Sequence, residues 1–214
     1  MGLQAPWRAI ALCFLMRSSE QARRYFGLTG GIACGKTTVA ACLSARGWGR
    51  IDCDRIAHEL LRPGAENWQK VVDEFGEKVL TATGEIDRRS LAKVVFARPE
   101  LLQKLNSITH PAIRRCWLRE KEQFERQFPE RNLAVEVPLL FELGLEGEFD
   151  EVICVACSSS TQRKRLLARG WESWEVEARL ASQFPLEEKI ARSDRVIWNE
   201  GTMVCLERQL DFLS

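Results

Sequence analysis

The sequence predicts an α/β protein in three layers, a parallel sheet with helices packed on both faces. Short apolar runs, suited to strands buried on both sides, alternate along the chain with stretches of helical spacing. That alternation is the signature of strand–helix–strand units. The first run also ends in a glycine-rich turn that leads straight into a helix. At 214 residues, with 45% hydrophobic and 29% charged, the chain suits one compact domain and does not force two.

Residues 25–29 form the first strand. Residues 37–46 have helical spacing, with Val39, Ala40 and Leu43 on one face and a stop at Gly47. A second strand ends near Ile51 and Asp52, and the helix after it carries Ile56, Leu60 and Leu61 up to the Pro63–Gly64 stop. From about Trp68 to Phe128 the pattern is mostly helical, with Pro99 and Pro111 placed as helix starts. Residues 133–137, 152–156 and 195–198 complete the strands. Helical patterns over 161–168, 176–184 and 203–212 separate or follow them. The helical block between the second and third strands is long enough to form a cap over a substrate.

Composition narrows the function classes. Lys and Arg total 31 against 30 for Asp and Glu, a net charge of +1, so the basic excess of a nucleic-acid binder is missing. The eight cysteines follow no framework and read as reduced thiols of a cytosolic protein, including Cys154 and Cys157 of a C-x-x-C that lies in an apolar run. Residues 1–24 read as a flexible extension. Its apolar stretch from Trp7 to Met16 is too short to span a bilayer. Arg8, Arg17, Arg23 and Arg24 leave a mitochondrial presequence open as the alternative to a cytoplasmic location, and Met16 as the true initiator is equally open.

Gly30-Gly-Ile-Ala-Cys-Gly35-Lys36-Thr37 satisfies G-x-x-x-x-G-K-[ST], the P-loop, with a strand before it and a helix after it. The glycines let successive backbone N–H groups turn inward around phosphates, and the helix start adds its positive dipole end. Gly31, Ile32, Ala33, Cys34, Gly35, Lys36, Thr37 and Thr38 are therefore expected to hold ATP. Lys36 would reach the β- and γ-phosphates and the Thr37 hydroxyl would ligate Mg²⁺. No Asn is followed by Lys, so the guanine-reading motif of a GTPase is missing. Leu133-Ala-Val-Glu136 is a weak match to the aliphatic strand ending in Asp of a hydrolysing motor. Asp52-Cys-Asp54 instead places two carboxylates at the carboxyl end of a strand, where open α/β sheets bind ligands. Asp54 is the favoured base, with Asp52 in orientation or as a second metal ligand. Asp54 would also make a good N-cap for the helix that follows.

Several further segments stand in a telling order. Ile51-Asp-Cys-Asp-Arg-Ile-Ala-His58, Ile86-Asp-Arg88, the His110–Pro111 pair and Val137-Pro-Leu-Leu-Phe-Glu142 follow the P-loop. Gln162, Arg165, Arg169, Glu187-Glu-Lys189, Asn199 and Gly201 come after them. From about Tyr25 to its end, this series closely resembles the dephospho-CoA kinase family. The resemblance implies a P-loop kinase fold over 25–214, with a helical CoA-binding region at about 62–130 and a lid at about 165–185. It implies transfer of the γ-phosphoryl group of ATP to the ribose 3′-hydroxyl of dephospho-CoA; the chain is expected to be a monomer or weak homo-oligomer. It implies that Arg165 and Arg169 neutralise charge on the transferring group. Asn199 and Gly201 would lie beside the adenine of ATP. Asp52, Asp54, His110, Arg114 and Glu142 would face the acceptor.

The chain departs from the family pattern at Ala33-Cys34, where Gly-Ser is usual, and at Glu136, a place often held by Asp or an apolar residue. The stretch Gly170-Trp-Glu-Ser-Trp174 is rich in Trp, whose rings suit either stacking on a base or covering a closed lid. Two other readings remain at this level. One is a P-loop kinase with a different small hydroxylated acceptor, and the other is an ATP-binding adaptor without turnover.

Overall fold

A computed structural model describes residues 23–213. The expectations for residues 1–22 lie outside the described residues. Five parallel strands form one sheet in the order β2-β3-β1-β4-β5. They are β1 (Tyr25–Gly30), β2 (Gly49–Asp52), β3 (Leu133–Glu136), β4 (Glu151–Ala156) and β5 (Arg195–Trp198). β1, β3 and β4 are buried almost throughout, as their unbroken apolar runs require.

The period-2 alternation of the strands divides the core into two layers. Leu133 and Val135 of β3 face a cluster with Ile51, Ile56, Trp117 and Leu140. Ala134 of β3 points the other way, with Phe26, Leu28, Val39 and Leu43. In register, Leu28 of β1 and Asp52 of β2 both stand opposite Glu136 of β3. The carboxyl ends of three strands thus meet along one edge of the sheet, beside the P-loop.

The helices are α1 (Lys36–Ala45), α2 (Cys53–Leu60), α3 (Glu66–Phe75), α4 (Arg88–Phe96), α5 (Pro99–Gln127), α6 (Ser159–Ala168), α7 (Ser173–Ala181), α8 (Leu186–Arg192) and α9 (Met203–Leu210). α3, α4 and the first half of α5 share a small core of their own around Val71, Phe75, Val79, Leu91 and Val95.

The helical boundaries correct three expectations. Pro111 does not start a helix: it lies inside the 29-residue α5. Its missing N–H deprives the ladder of one bond, and close by the buried Asn67 side chain donates to the Ile108 carbonyl at 3.1 Å. The stretch expected as a helix over 176–184 begins at Ser173 and ends at Ala181. It is followed by α8, which the short apolar content of 186–192 did not reveal. The last helix ends at Leu210 and tightens into a 3₁₀ turn over Asp211–Leu213.

Candidate active site

The P-loop takes the shape that its glycines allow. Gly30 and Gly35 have φ of 135° and 95°, which glycine adopts without strain. A Cβ at Gly35 would lie 2.0 Å from Asn199 Nδ2, and one at Gly30 2.0 Å from the Val155 carbonyl oxygen. Ala33 also sits in the left-handed region, at φ 59°, the one non-glycine among the described residues to do so. That costs about 1–2 kcal/mol, offset in part by packing of its methyl group with Leu166 and Val176.

Lys36 Nζ donates to the Gly30 and Gly31 carbonyls, both at 3.1 Å. Its removal from water lowers its pKa, against the attraction of Asp54. The outer side of the loop is braced by Arg165, whose Nη1 donates to the Ala33 and Cys34 carbonyls at 3.1 and 3.3 Å, while Nη2 donates to the Asn199 carbonyl at 2.9 Å. Asn199 Nδ2 adds a bond to the Cys34 carbonyl at 2.9 Å. Arg165 therefore grips the back of the P-loop and does not reach into the cleft. Cys34 is fully buried, with its Sγ 3.6 Å from that of Cys157, and burial pushes both thiols up.

At the end of β2 the two aspartates part company. Asp52, not Asp54, is the N-cap of α2, accepting from the Arg55 N–H at 3.0 Å. Its other oxygen takes an N–H of Arg50 at 3.3 Å, and Arg50 Nε also donates to Glu136 at 2.6 Å. Both Asp52 and Glu136 are thus committed to Arg50. Asp54, one position into the helix, is left to face the cleft. Packing of protein around it raises its pKa, with Lys36 opposing the shift and Asp52 reinforcing it.

Two cavities meet at Asp54. The larger, about 510 Å³, lies in front of the P-loop and is lined by Lys36, Thr37, Asp54, Arg88, Arg169 and Arg179 among others. Four cationic side chains against one carboxylate make it a trap for polyanions. The smaller, about 240 Å³, lies against α5 and includes His110, Ile113, Arg114 and Trp117. Asp54, Ala57, Leu61, Leu105 and Pro138 belong to both. Burial lowers the pKa of His110, and Arg114 is paired with Glu148.

The two cavities include Arg169, His110 and Arg114, but not Arg165, Glu142, Asn199 or Gly201. Glu142 was expected at the acceptor. It instead pairs with the fully buried Lys189 at 2.8 Å and accepts from the Phe184 N–H at 2.8 Å.

Reasoning from sequence also passed over Arg88, His58 and Arg179. Arg88 meets His58 Nε2 at the cavity wall. Burial and the neighbouring guanidinium lower the pKa of His58. Arg179 stacks on Trp171, 4.4 Å from its ring centroid. Trp171 lines the larger cavity, whereas Trp174 stays outside it and donates to Glu172 at 2.7 Å. The signal for Arg88 was present, because Ile86-Asp-Arg88 stood among the ordered segments. Nothing in the local pattern distinguished Arg179 from other surface arginines.

The model of the dephospho-CoA kinase family matches residues 24–204. The chain belongs to the dephospho-CoA kinase family. It is 42% identical over 189 residues to the dephospho-CoA kinase of Bdellovibrio bacteriovorus, covering 88% of this chain and 93% of that one. It is 43% identical over 185 residues to that of Geobacillus kaustophilus, covering 86% and 92%. Among solved structures it resembles TT1252 from Thermus thermophilus, with a TM-score of 0.74 and 36% identity over 89% of this chain and 96% of that one. The dephospho-CoA kinase from Campylobacter jejuni aligns with a TM-score of 0.63 and 31% identity, over 88% and 94%. These relatives fix the fold as that of a P-loop kinase. Among the described residues, no helix of this kinase is long and apolar enough to cross a membrane.

Proposed function

We propose that the chain transfers the γ-phosphoryl group of ATP to the 3′-hydroxyl of dephospho-CoA, giving CoA and ADP, with Asp54 as the base. The observation that carries the reading is the position of Asp54 at the junction of the two cavities, facing Lys36 of the P-loop. A hydroxyl presented from the smaller cavity would meet a carboxylate whose pKa is raised, hence a stronger proton acceptor than an ordinary aspartate.

ATP would lie with its phosphates on the P-loop amides. Lys36 and Arg169 would face the transferring group and spread the charge of a loose transition state. Arg165 contributes at one remove, by fixing the loop. The base of ATP would lie toward Asn199 and Gly201, on the side where Asn199 touches the loop. The acceptor would run from Asp54 past His110 and Arg114.

Mg²⁺ fits the donors present. Thr37 lines the larger cavity together with Lys36 and Asp54, and one hydroxyl plus substrate phosphates is a usual site for this ion. With both oxygens of Asp52 engaged by Arg55 and Arg50, Thr37 would hold the ion and Asp54 would face it. When bound, the ion supplies charge neutralisation across the phosphates.

Segment 165–185 acts as a lid that excludes water, and the helical block of about 62–130 binds the CoA moiety. The chain would act as a monomer or weak homo-oligomer. The described cysteines are free thiols, in keeping with a reducing, cytosolic setting.

Phosphorus NMR of the product tests the reading. A new phosphomonoester on the ribose 3′-oxygen, formed only with both substrates, supports it. Phosphate at any other position, or none, would refute it.

A further inference from the structure

We infer that Lys189 and Glu142 form a buried positioning pair that ties the lid to the acceptor side of the cleft; this rests on the kinase reading above. Lys189 is the largest charged side chain in the core, with 0% exposure, and the reaction as described makes no use of it. Its Nζ donates to the Pro138 carbonyl at 2.8 Å and pairs with Glu142 Oε1 at 2.8 Å. Burying an ammonium is costly and is tolerated only with close partners.

What those partners do gives the pair its meaning. Pro138 lines both cavities, next to Asp54. Its carbonyl also accepts from Thr29, the β1 residue directly before the P-loop, at 3.4 Å. Glu142 closes the same loop and accepts from the N–H of Phe184, the end of the lid segment. Arg192, one turn after Lys189, stacks on both Phe141 and Phe184, 4.7 and 5.5 Å from the ring centroids. Four elements are therefore linked through one buried ammonium and its two partners: β1 before the P-loop, the loop after β3, the end of the lid at Phe184, and α8.

A lid that swings over the cleft needs a fixed end. Gln183, beside Phe184, already lines the larger cavity. The Glu142–Phe184 bond fixes the lid's C-terminal end to the loop that carries Pro138. Lys189 holds that loop where Pro138 lines both cavities. Without Lys189, Glu142 would be a half-buried carboxylate lacking its cation, and both the lid's end and Pro138 would be free to shift. The consequence falls on the acceptor more than on ATP, because the P-loop has separate braces in Arg165 and Asn199.

The test uses the full-length protein with Lys189→Met, Glu142→Gln and the double variant. Removing one partner of a buried pair destabilises, whereas replacing both with uncharged side chains of similar size is often close to neutral. Each single variant should lose several degrees of Tm, roughly in line with loss of a buried pair, and the double variant should regain most of it. All three should raise the KM for dephospho-CoA about tenfold, leave the KM for ATP within about twofold, and speed amide exchange over residues 171–184. If the double variant regains both Tm and the parent's KM and exchange, the pair is structural support only and the inference fails. Should the parent itself show no turnover with dephospho-CoA, the reaction assignment fails separately. The exchange comparison would still decide, with unchanged protection over 171–184 overturning the role of the pair.

Discussion

The nucleotide side and the acceptor side of the cleft are held by different kinds of contact. On the nucleotide side, main chain does most of the work. Gly30 and Gly35 turn the loop, sheet strands bury its base, and Arg165 and Asn199 grip its carbonyls from behind. On the acceptor side, α3, α4 and the first half of α5 pack around a separate small core, while α2, α5 and the loop after β3 line the cavity. Surface ion pairs such as Arg114 with Glu148 orient them, and such pairs contribute little stability. A site meant to bind phosphates gains from a rigid cradle, while one that must admit a long substrate can be built from helices able to adjust.

The largest expected effects fall where the two sides meet. Lys36→Ala and Asp54→Asn should each lower kcat by about 10²–10⁴ with the fold intact, read by steady-state kinetics alongside circular dichroism. Near-normal turnover in Asp54→Asn would place the base elsewhere. The raised pKa of Asp54 also sets a pH dependence. As a base it must be ionised, so kcat/KM should fall with decreasing pH at a pH above the ordinary carboxylate range. For stability the sign is reversed. The folded state holds this proton more tightly than the unfolded one, so the group costs stability as pH rises from the ordinary aspartate pKa through the raised one. Asp54→Asn should therefore be more heat-stable than the parent at pH 7, and a lower Tm would contradict the shift.

Next come the two arginines, which sharpen the contrast between cradle and cleft. Arg169→Ala removes a charge from the cavity and should lower kcat by about 10². Arg165→Ala loosens the loop and should chiefly raise the KM for ATP, by about tenfold. Equal effects on kcat from both would erase the distinction.

Smaller effects test the local backbone. Asp52→Ala removes the cap of α2 and should cost about 1 kcal/mol in thermal or denaturant unfolding, while Asp52→Asn should keep most of it. Ala33→Gly relieves the left-handed strain but gives up the methyl packing on Leu166 and Val176. Its net effect should stay within about 1 kcal/mol, with turnover within about twofold; a tenfold loss would mean that this packing sets the loop.

The same contrast explains what the sequence could disclose. The P-loop was legible because its function lies in backbone geometry, and only glycine and a short polar set at fixed spacing give that geometry. The sheet was legible because burial on both faces demands unbroken apolar runs. Which of Asp52 and Asp54 caps α2 was not, since aspartate caps well at either position and the choice turns on where β2 ends. Lys189 looked like any charged residue on a short polar helix. Its burial depends on Pro138 and Glu142, distant in the chain, and no local period reports that. Pro111 misled for a related reason, because tertiary packing along α5 outweighs its preference for a helix start.

The most direct measurement is ADP release from ATP by the full-length protein, with dephospho-CoA, with AMP or shikimate in its place, and with no acceptor. ADP should appear only with dephospho-CoA, in equal amount to the CoA formed, and Asp54→Asn should slow both by about 10²–10⁴. ADP released with another acceptor but not with dephospho-CoA, or at the same rate with none, would contradict a cleft in which the two cavities join at Asp54 to pass phosphate from one substrate to the other.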